Sequence, residues 1–569
     1  MAVSSLFHAS SRPTGARRVW LRCAVLGALA FGSGLLVANN PFRPSSTNPD
    51  ATARGYLRFK EVLSYIDRDY VDSVNTEGLA DYATAQMLER LDPHSVYIPA
   101  LEREQNDAFL QGDFDGVGIE FNLFRDTMTV VAPLGGGSAA QAGLQPGDQV
   151  LRVGAAAVSG AHLTNARITQ LLRGPRGSTV ALEVRRPRQA KAFTLALLRA
   201  RVPNSSIDAA YLIDEQTGYI KINRFASNTY DEFRAALADL RRQGLGRLVL
   251  DLRGNPGGYL DRATRVVDEF VAGARKIVSV DGKGETYDSQ VYARVAGEFE
   301  EGPLVVLIDE GSASAAEVVA GALQDHDRAL LVGRRTFGKG LVQQPIALSD
   351  GGELRLTIAR YYTPSGRSIQ KPYGSSRAEY RRELSERATR GELASADSNH
   401  FAAGPRFHTD HGRPVYGGGG IMPDLFVPRD TLAYSPYYTR LQAHNAPRAV
   451  ALAFYQAHKA ELEGLRFEQF NATFRISDAQ LGALAAAAAR DGVAPDAAAL
   501  HRCAPLLRNQ VKAYIAQSAY GTVPYYTVLR EQDPELQQAL HVLGDGRAQL
   551  ALAGAKQSEP TEQITLIDK

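Results

Sequence analysis

Leu304-Val305-Val306-Leu307-Ile308-Asp309-Glu310-Gly311-Ser312-Ala313-Ser314-Ala315-Ala316-Glu317-Val318 reads as strand, tight turn and helix. The apolar run at 303–308 has the length of a buried strand, small residues turn the chain, and a helical pattern follows at 318–323. A small-residue turn at the start of a helix lets the Ser314 hydroxyl stand clear of the backbone. Free N–H groups and the positive end of the helix dipole lie close by, which suits an acyl-enzyme nucleophile. Twenty-five positions on, Thr336-Phe337-Gly338-Lys339-Gly340 sets a lysine between two glycines that permit close approach. Gln343 follows one helical turn or two strand steps later, and Ser314 with Lys339 forms a candidate Ser/Lys dyad.

The lysine has to be abnormal to serve such a pair. A free lysine titrates near about 10.4 and is protonated at neutral pH, so it cannot take a serine proton. Lowering its pKa by about three units, roughly 4 kcal/mol of differential solvation, takes an apolar pocket with no carboxylate nearby. Phe337, Leu341 and Val342 suit that requirement. Gln343 adds a neutral amide that can orient the amine without pulling its pKa back up. Alone, FGKG would describe a surface lysine in a glycine turn, since short motifs match by chance.

A third string changes that balance. Arg247-Leu248-Val249-Leu250-Asp251-Leu252 has a buried-strand pattern and runs into Arg253-Gly254-Asn255-Pro256-Gly257-Gly258. A glycine turn of this kind presents backbone N–H groups. With the amide of Ala315, either Gly257 or Gly258 could donate to a developing oxyanion, a contribution of roughly 3 to 4 kcal/mol per donor. The sequence does not choose between the two glycines.

In this order and spacing, DLRGNPGG, GSASAAE and TFGKGLVQ resemble the C-terminal processing peptidases, or tail-specific proteases, and the resemblance covers residues 55–430. It implies an α/β multidomain chain: a crotonase-like α/β protease core, an inserted β-rich PDZ domain and an N-terminal helical segment. It also implies Ser314 as nucleophile, Lys339 as general base and Gln343 as its orienting partner. The sequence departs from the family pattern at Ala316, where a serine is usual, and at Asp309, where an asparagine is common. Neither position is a member of the dyad.

The region 112–200 points the same way. Gly116-Val117-Gly118-Ile119 precedes an apolar strand at 128–133, and Ala139-Ala140-Gln141-Ala142-Gly143-Leu144-Gln145-Pro146-Gly147-Asp148 leads into another at 149–153. That order resembles a PDZ domain, which binds a peptide C-terminus as an added strand while a glycine loop holds the carboxylate. Gly116 to Ile119 is the candidate substrate-binding loop. An amphipathic helix at 164–172 would wall the groove through Ile168, Leu171 and Leu172. Arg173 ends that helix, where a cation suits the dipole. It is also a candidate regulatory residue coupling groove occupancy to the core, since family members commonly gate activity through their PDZ domain.

Composition bounds the rest. A chain of 569 residues is too long for one core and should form three or four domains. Lys and Arg total 64 against 62 Asp and Glu, and Arg12, Arg17, Arg18 and Arg22 all precede residue 39, where no acidic residue occurs. Without that segment the balance is 60 to 62, so nothing favours a nucleic-acid partner. The basic segment, the uncharged stretch 23–38 and a Pro/Ser/Asn-rich linker have the layout of a secretory signal or membrane anchor. Export to the periplasm or cell envelope is therefore expected. The only cysteines are Cys23 and Cys503, so a cleaved chain would hold one thiol and no internal disulfide.

The expected domain order is signal or anchor 1–38, linker 39–50, N-terminal helical segment 51–111, PDZ domain 112–200, protease core 201–430 and C-terminal helical domain 431–569. The N-terminal segment reads as helix over 56–91, with Leu63, Ile66 and Tyr70 on one face, and ends at Leu91-Asp92-Pro93-His94-Ser95. In related proteases such a segment supports dimerisation or packs on the core. After the dyad, 354–361 continues as strand, and the charged stretch 374–400 reads as a mobile excursion. His408-Thr409-Asp410-His411 has a superficial metal-ligand look but lacks a third ligand in helical context, and reads as a solvated loop. Helices are expected after Ser477-Asp478, Pro495-Asp496 and Pro534-Glu535.

The expected function is an exported serine endopeptidase that grips exposed, mainly apolar C-terminal tails of protein substrates and cleaves nearby. No metal, nucleotide or other cofactor is required; an adaptor and a homo-oligomer are open. Two alternatives compete. A trypsin-like PDZ protease is disfavoured because Pro256 occupies the nucleophile position of GNPGG and no His and Asp pair lies upstream. A proteolytically silent PDZ scaffold or chaperone would not label at Ser314 with a serine-directed probe.

Overall fold

The computed structural model describes residues 49–546 apart from 101, 104–108, 125, 161–162, 190, 375 and 397–404. The expected signal or anchor and nearly all of the linker lie outside the described residues. Among those described, no helix is long and apolar enough to cross a membrane. The chain divides into two compact units, residues 1–83 and 84–569. In the first, helix Pro49–Asp69 is followed by the start of a second helix, Thr76–Glu89, where one continuous helix was expected. The interruption falls at Asp72-Ser73-Val74-Asn75, and the Asn75 side chain restarts the helix by accepting from Gly78 N at 3.0 Å.

The centre of the second unit is a six-stranded sheet. Its strands run Ile207–Leu212, Thr217–Ile222, Arg247–Asp251, Leu304–Ile308, Leu330–Gly333 and Leu425–Phe426, side by side in that order. The first pair is antiparallel and every other neighbour is parallel. The strand Leu304–Ile308 is buried throughout because both sheet faces are covered. Leu304, Val306 and Ile308 face a core shared with helices Thr229–Arg242, Leu260–Asp268 and Ala315–Asp325, and Val305 and Leu307 face the other side. Each such side chain contributes roughly 1.5 to 3 kcal/mol by leaving water.

The helix that covers that second face is Pro534–Gly544, through Leu536, Ala539, Val542 and Leu543. Part of the C-terminal region therefore completes the central core. Polar ties reinforce the contact: Arg253 meets Asp533 and Glu535, and Arg334 meets Glu310 and Glu535.

A second, antiparallel sheet carries the lysine side of the site. Glu353–Tyr362 is its long strand, flanked by Val96–Ile98, Lys276–Gly282 and Leu341–Ala347. The PDZ module is a third sheet, ordered Ile119–Phe124, Thr127–Pro133, Gln149–Val153, Thr179–Arg185 and Phe193–Leu198, with helix Asn165–Leu172 packed on it. Its entry and exit strands, Asp113–Gly116 and Ala200–Pro203, pair antiparallel, which brings both ends of the inserted segment together.

One loop expectation is corrected. The stretch read as a mobile excursion contains helix Arg377–Thr389, which Arg387 and Glu383 anchor while Glu379, Arg381, Arg382 and Glu386 stay exposed. Buried Arg387 donates to the carbonyls of Thr336 and Phe337 at 2.7 and 2.9 Å, and Glu383 pairs with both Arg387 and Lys371. The segment around His408 is exposed at His408, Asp410 and His411, as a solvated loop is, and touches the core where Asp410 meets His326 at 2.8 Å and Arg275 at 3.2 Å and His411 N donates to Asp327. No cluster suited to a metal ion occurs among the described residues.

Candidate active site

Ser314 is the N-cap of helix Ala315–Asp325 and sits at φ 56, ψ −117. A non-glycine residue there carries strain of about 1 to 3 kcal/mol, which surrounding contacts must hold. Asp309 supplies some of them: its Oδ1 accepts from Gly254 N at 2.8 Å and Gly311 N at 3.0 Å, stitching the serine turn to the glycine loop. Ser312 Oγ donates to Leu252 O at 2.8 Å, a second tie between the same two segments.

Glu317 is the hub. Three residues after Ser314 and fully buried, it accepts Ser314 N and Lys339 N on Oε2, each at 2.8 Å. On Oε1 it accepts Gly338 N at 2.7 Å and Thr336 Oγ1 at 2.5 Å. One carboxylate thus fixes the backbones of the serine and the lysine together. Burial pushes its carboxyl above the usual range while the four donors oppose the shift.

Lys339 donates from Nζ to Gln343 Oε1 at 2.8 Å, and Gln343 Nε2 donates to the carbonyl of His94 at 2.6 Å. Burial pulls the lysine below its ordinary value, although Glu317 and Asp92 act in the opposite direction. The expected absence of a nearby carboxylate is therefore corrected: desolvation, joined by the charge of Arg355, prevails over two of them. Gln343 lies in a strand, opposite Thr357, and not on a helix. Among the described residues no hydrogen bond joins Ser314 Oγ to Lys339 Nζ. The Tyr361 hydroxyl donates to the Lys339 carbonyl and also interacts with the Ser314 side chain.

The glycine loop resolves into different tasks. A Cβ at Gly257, φ +98, would lie 2.6 Å from Ser314 Cβ and 2.9 Å from Ala315 N, so only glycine lets the loop pass the serine. The N–H of Gly257 is taken by Asn255 Oδ1 at 2.8 Å. Among the described residues the N–H groups of Gly258 and Ala315 have no such partner. Ala315 directly follows the serine in the chain, and Gly258 directly follows Gly257, which passes it.

In the PDZ module, Gly116, Val117, Gly118 and Ile119 bridge the entry strand and the edge strand Ile119–Phe124, whose outer side is unpaired among the described residues. The carbonyls of Val117 and Gly118 accept from Ala139 and Leu134, which fixes the loop. Arg173 caps the helix C-terminus, with its guanidinium 5.2 Å from the Phe114 ring centroid.

Sequence reading missed the weight of Glu317, Tyr361 and the Asp92–Ser95 turn. The spacing Ser314-x-x-Glu317 is a capping-box pattern and could have disclosed the first. Tyr361 and the turn reach the site across sheet pairings that no local pattern reports.

Peptidase family S41 matches residues 216–374, the PDZ domain residues 112–185, and a family of unknown function, DUF8443, residues 437–521. The chain is similar to a carboxy-terminal-processing protease of Bartonella bacilliformis, 36% identical over 330 residues that span 57% of this chain and 75% of that protein. It is similar to the carboxy-terminal processing protease CtpB of Bacillus subtilis, 32% identical over 317 residues, 55% of this chain and 65% of that protein. Among solved structures it is similar to the photosystem II D1 C-terminal processing protease, with 30% identity and a TM-score of 0.32, over 56% of this chain and 91% of that one.

Proposed function

The chain belongs to the carboxy-terminal processing proteases of peptidase family S41, and from that premise we propose that it is an exported endopeptidase whose chemistry is carried by Ser314 and Lys339. Ser314 Oγ attacks the scissile carbonyl as Lys339 takes its proton, and Gly258 N–H and Ala315 N–H hold the oxyanion. Lys339 returns the proton to the leaving amine, and water then releases the acyl group by the same route. The observation that carries this reading is a buried lysine, depressed by desolvation, whose Nζ is bonded to a neutral amide. A lysine resting on Gln343 with no bond to Ser314 Oγ describes a poised site in which bound substrate brings Oγ and Nζ together.

The PDZ edge strand would take an apolar C-terminal tail as an added strand, with its carboxylate on the Gly116–Ile119 loop. The test is digestion of a partly unfolded protein, with and without an apolar C-terminal tail, by the full chain. Faster cutting of the tailed substrate supports the reading. Tail binding without cutting and without labelling of Ser314 by a serine-directed probe would instead favour the silent scaffold. The unmade Ser314–Lys339 hydrogen bond is the feature that keeps this second reading open.

The C-terminal helical domain has a place in this scheme. Helix Ala446–Glu463 reaches the PDZ module at three points: Arg448 pairs with Glu120 on the edge strand at 2.8 Å, Gln456 bonds Pro146 O, and Lys459 bonds Gln145 at 2.7 Å. The same domain holds Arg253, five residues before Gly258, through Asp533 and Glu535. It would act as a strut between tail site and oxyanion loop. Arg448→Glu is expected to cut the tail-induced stimulation about threefold or more, given charge-pair coupling near 1 kcal/mol, and Glu120→Arg in the same chain to restore it. Stimulation ratios with tailed and untailed peptides give the answer. Self-association through helix Pro49–Asp69 is supported by exposed Tyr56, Phe59, Val62 and Tyr65, and sedimentation of a chain lacking that helix checks it.

A further inference from the structure

The proton-transfer apparatus extends into a turn that precedes the PDZ module by some twenty residues. Asp92 Oδ1 accepts from His94 N and Ser95 N, each at 2.8 Å, and from Thr357 Oγ1 at 3.1 Å. Its Oδ2 accepts from Ser95 Oγ at 2.5 Å, and Ser95 Oγ in turn accepts from Thr357 N at 3.1 Å. Such an Asx turn fixes the direction of the carbonyl it encloses. Here that carbonyl is His94 O, which accepts from Gln343 Nε2 at 2.6 Å.

The direction of this bond has a chemical consequence. A carbonyl only accepts, so the Gln343 amide must turn its NH2 toward His94 and its Oε1 toward Lys339. Oε1 then takes one N–H of the lysine, and the lone pair of the neutral amine is left to point elsewhere. Thr357, opposite Gln343 in the strand register, is the same residue that Asp92 and Ser95 hold from the other side. The turn therefore fixes both the side chain and the strand partner of Gln343.

The surroundings keep the turn in place. The His94 ring bonds Tyr380 OH at 2.9 Å and meets that ring edge-on, with centroids 5.1 Å apart. Burial first, then the charge of Lys339, pushes His94 down to about 3, so the imidazole stays neutral beside the lysine. Arg377 donates to Ser95 O at 2.9 Å.

We propose that Asp92 is a positioning residue for the general base, acting through the His94 carbonyl and Gln343 to aim the lone pair of Lys339. The proposal rests on the Ser/Lys reading above and deepens it. It assigns to the N-terminal segment a share in the proton-transfer step.

The test compares Asp92→Ala, Asp92→Asn, Lys339→Ala and wild type as full chains, with kcat and KM measured separately across pH on a tailed peptide, alongside thermal unfolding. Asp92→Ala is expected to lower kcat about 10- to 100-fold, the scale of a small misplacement at a reacting centre, with KM within about twofold. Asp92→Asn keeps an oxygen for the two N–H groups and should stay within about threefold of wild type in kcat. It removes a carboxylate that favours the charged lysine, so its acidic limb should move to lower pH. An Asp92→Ala chain with wild-type kcat overturns the proposal. So does an Asp92→Asn chain as impaired as Asp92→Ala, or one whose acidic limb does not move; this last readout stands even where Asp92→Ala does not fold. Activity retained by Lys339→Ala would overturn the Ser/Lys reading itself, an outcome distinct from each of these.

Discussion

Ser314→Ala and Lys339→Met each abolish cleavage, with kcat/KM expected to fall by at least about 10³-fold, because nucleophile and base act as a unit and losing either removes most of the effect. The double variant should be no worse than the poorer single one. Tail binding, measured by fluorescence anisotropy of a labelled apolar peptide, should be unchanged in both, since no PDZ residue is altered. The wild-type rate should climb with pH as Lys339 loses its proton, with a midpoint below that of an ordinary lysine. Lys339→Met carries a second expectation, for stability. A lysine whose folded pKa is lowered binds its proton less tightly in the folded state than in the unfolded one, so folding is penalised where the unfolded lysine is protonated. That penalty is largest below the folded pKa and fades as pH rises through the window up to the unfolded value. The variant should therefore unfold at a higher temperature than wild type at neutral pH, with the gain shrinking toward alkaline pH. Equal unfolding temperatures at every pH would show that the lysine is not desolvated as the structure has it.

Glu317→Ala is the second large effect. It strands the N–H groups of Ser314, Gly338 and Lys339 and the hydroxyl of Thr336. A buried donor left without a partner costs about 1 to 3 kcal/mol. Water entering the vacated space would satisfy some of the four, so a net loss of about 3 to 5 kcal/mol is expected. Activity should fall about 100-fold or more even at temperatures where the chain is folded, because the strained backbone at Ser314 loses its anchor. Glu317→Gln should lie between wild type and Glu317→Ala: its amide oxygen can serve one pair of donors, and its NH2 would face the other pair. Chemical denaturation together with peptide hydrolysis reads both quantities. A Glu317→Ala chain that stays stable and active would show that the serine and lysine loops hold themselves.

Much of this site was legible because its chemistry is local. The apolar run before Asp309, the small residues around Ser314 and the two glycines flanking Lys339 each occupy a short window, and a short window suffices to recognise a strand, a helix start or a tight turn. The helical pattern at 318–323 lies within helix Ala315–Asp325, and the strands expected at 247–252, 303–308 and 354–361 appear within one residue of those bounds. The choice between Gly257 and Gly258 could not be made that way. The proposed preference for Gly258 rests on Asn255 capturing the N–H of Gly257, a matter of one hydrogen bond inside a folded loop. The charged stretch around 377–389 misled for a related reason: charge signals solvent only where no partner waits, and here Arg387 finds two carbonyls beside the lysine loop.

By itself the sequence determined which segments alternate as strand and helix, which serine and lysine carry the chemistry-bearing patterns, and which family the chain resembles. These follow from hydrophobic period, turn chemistry and fixed short spacings. Only the tertiary structure decided what acts on Ser314 and Lys339 from a distance. Glu317 joins two loops across 22 positions, His94 reaches Gln343 across 249, and the helix Pro534–Gly544 returns to close the far face of the central sheet. Each of those contacts is fixed by sheet register and by packing between segments remote in the chain, and neither quantity is encoded in any one stretch of residues.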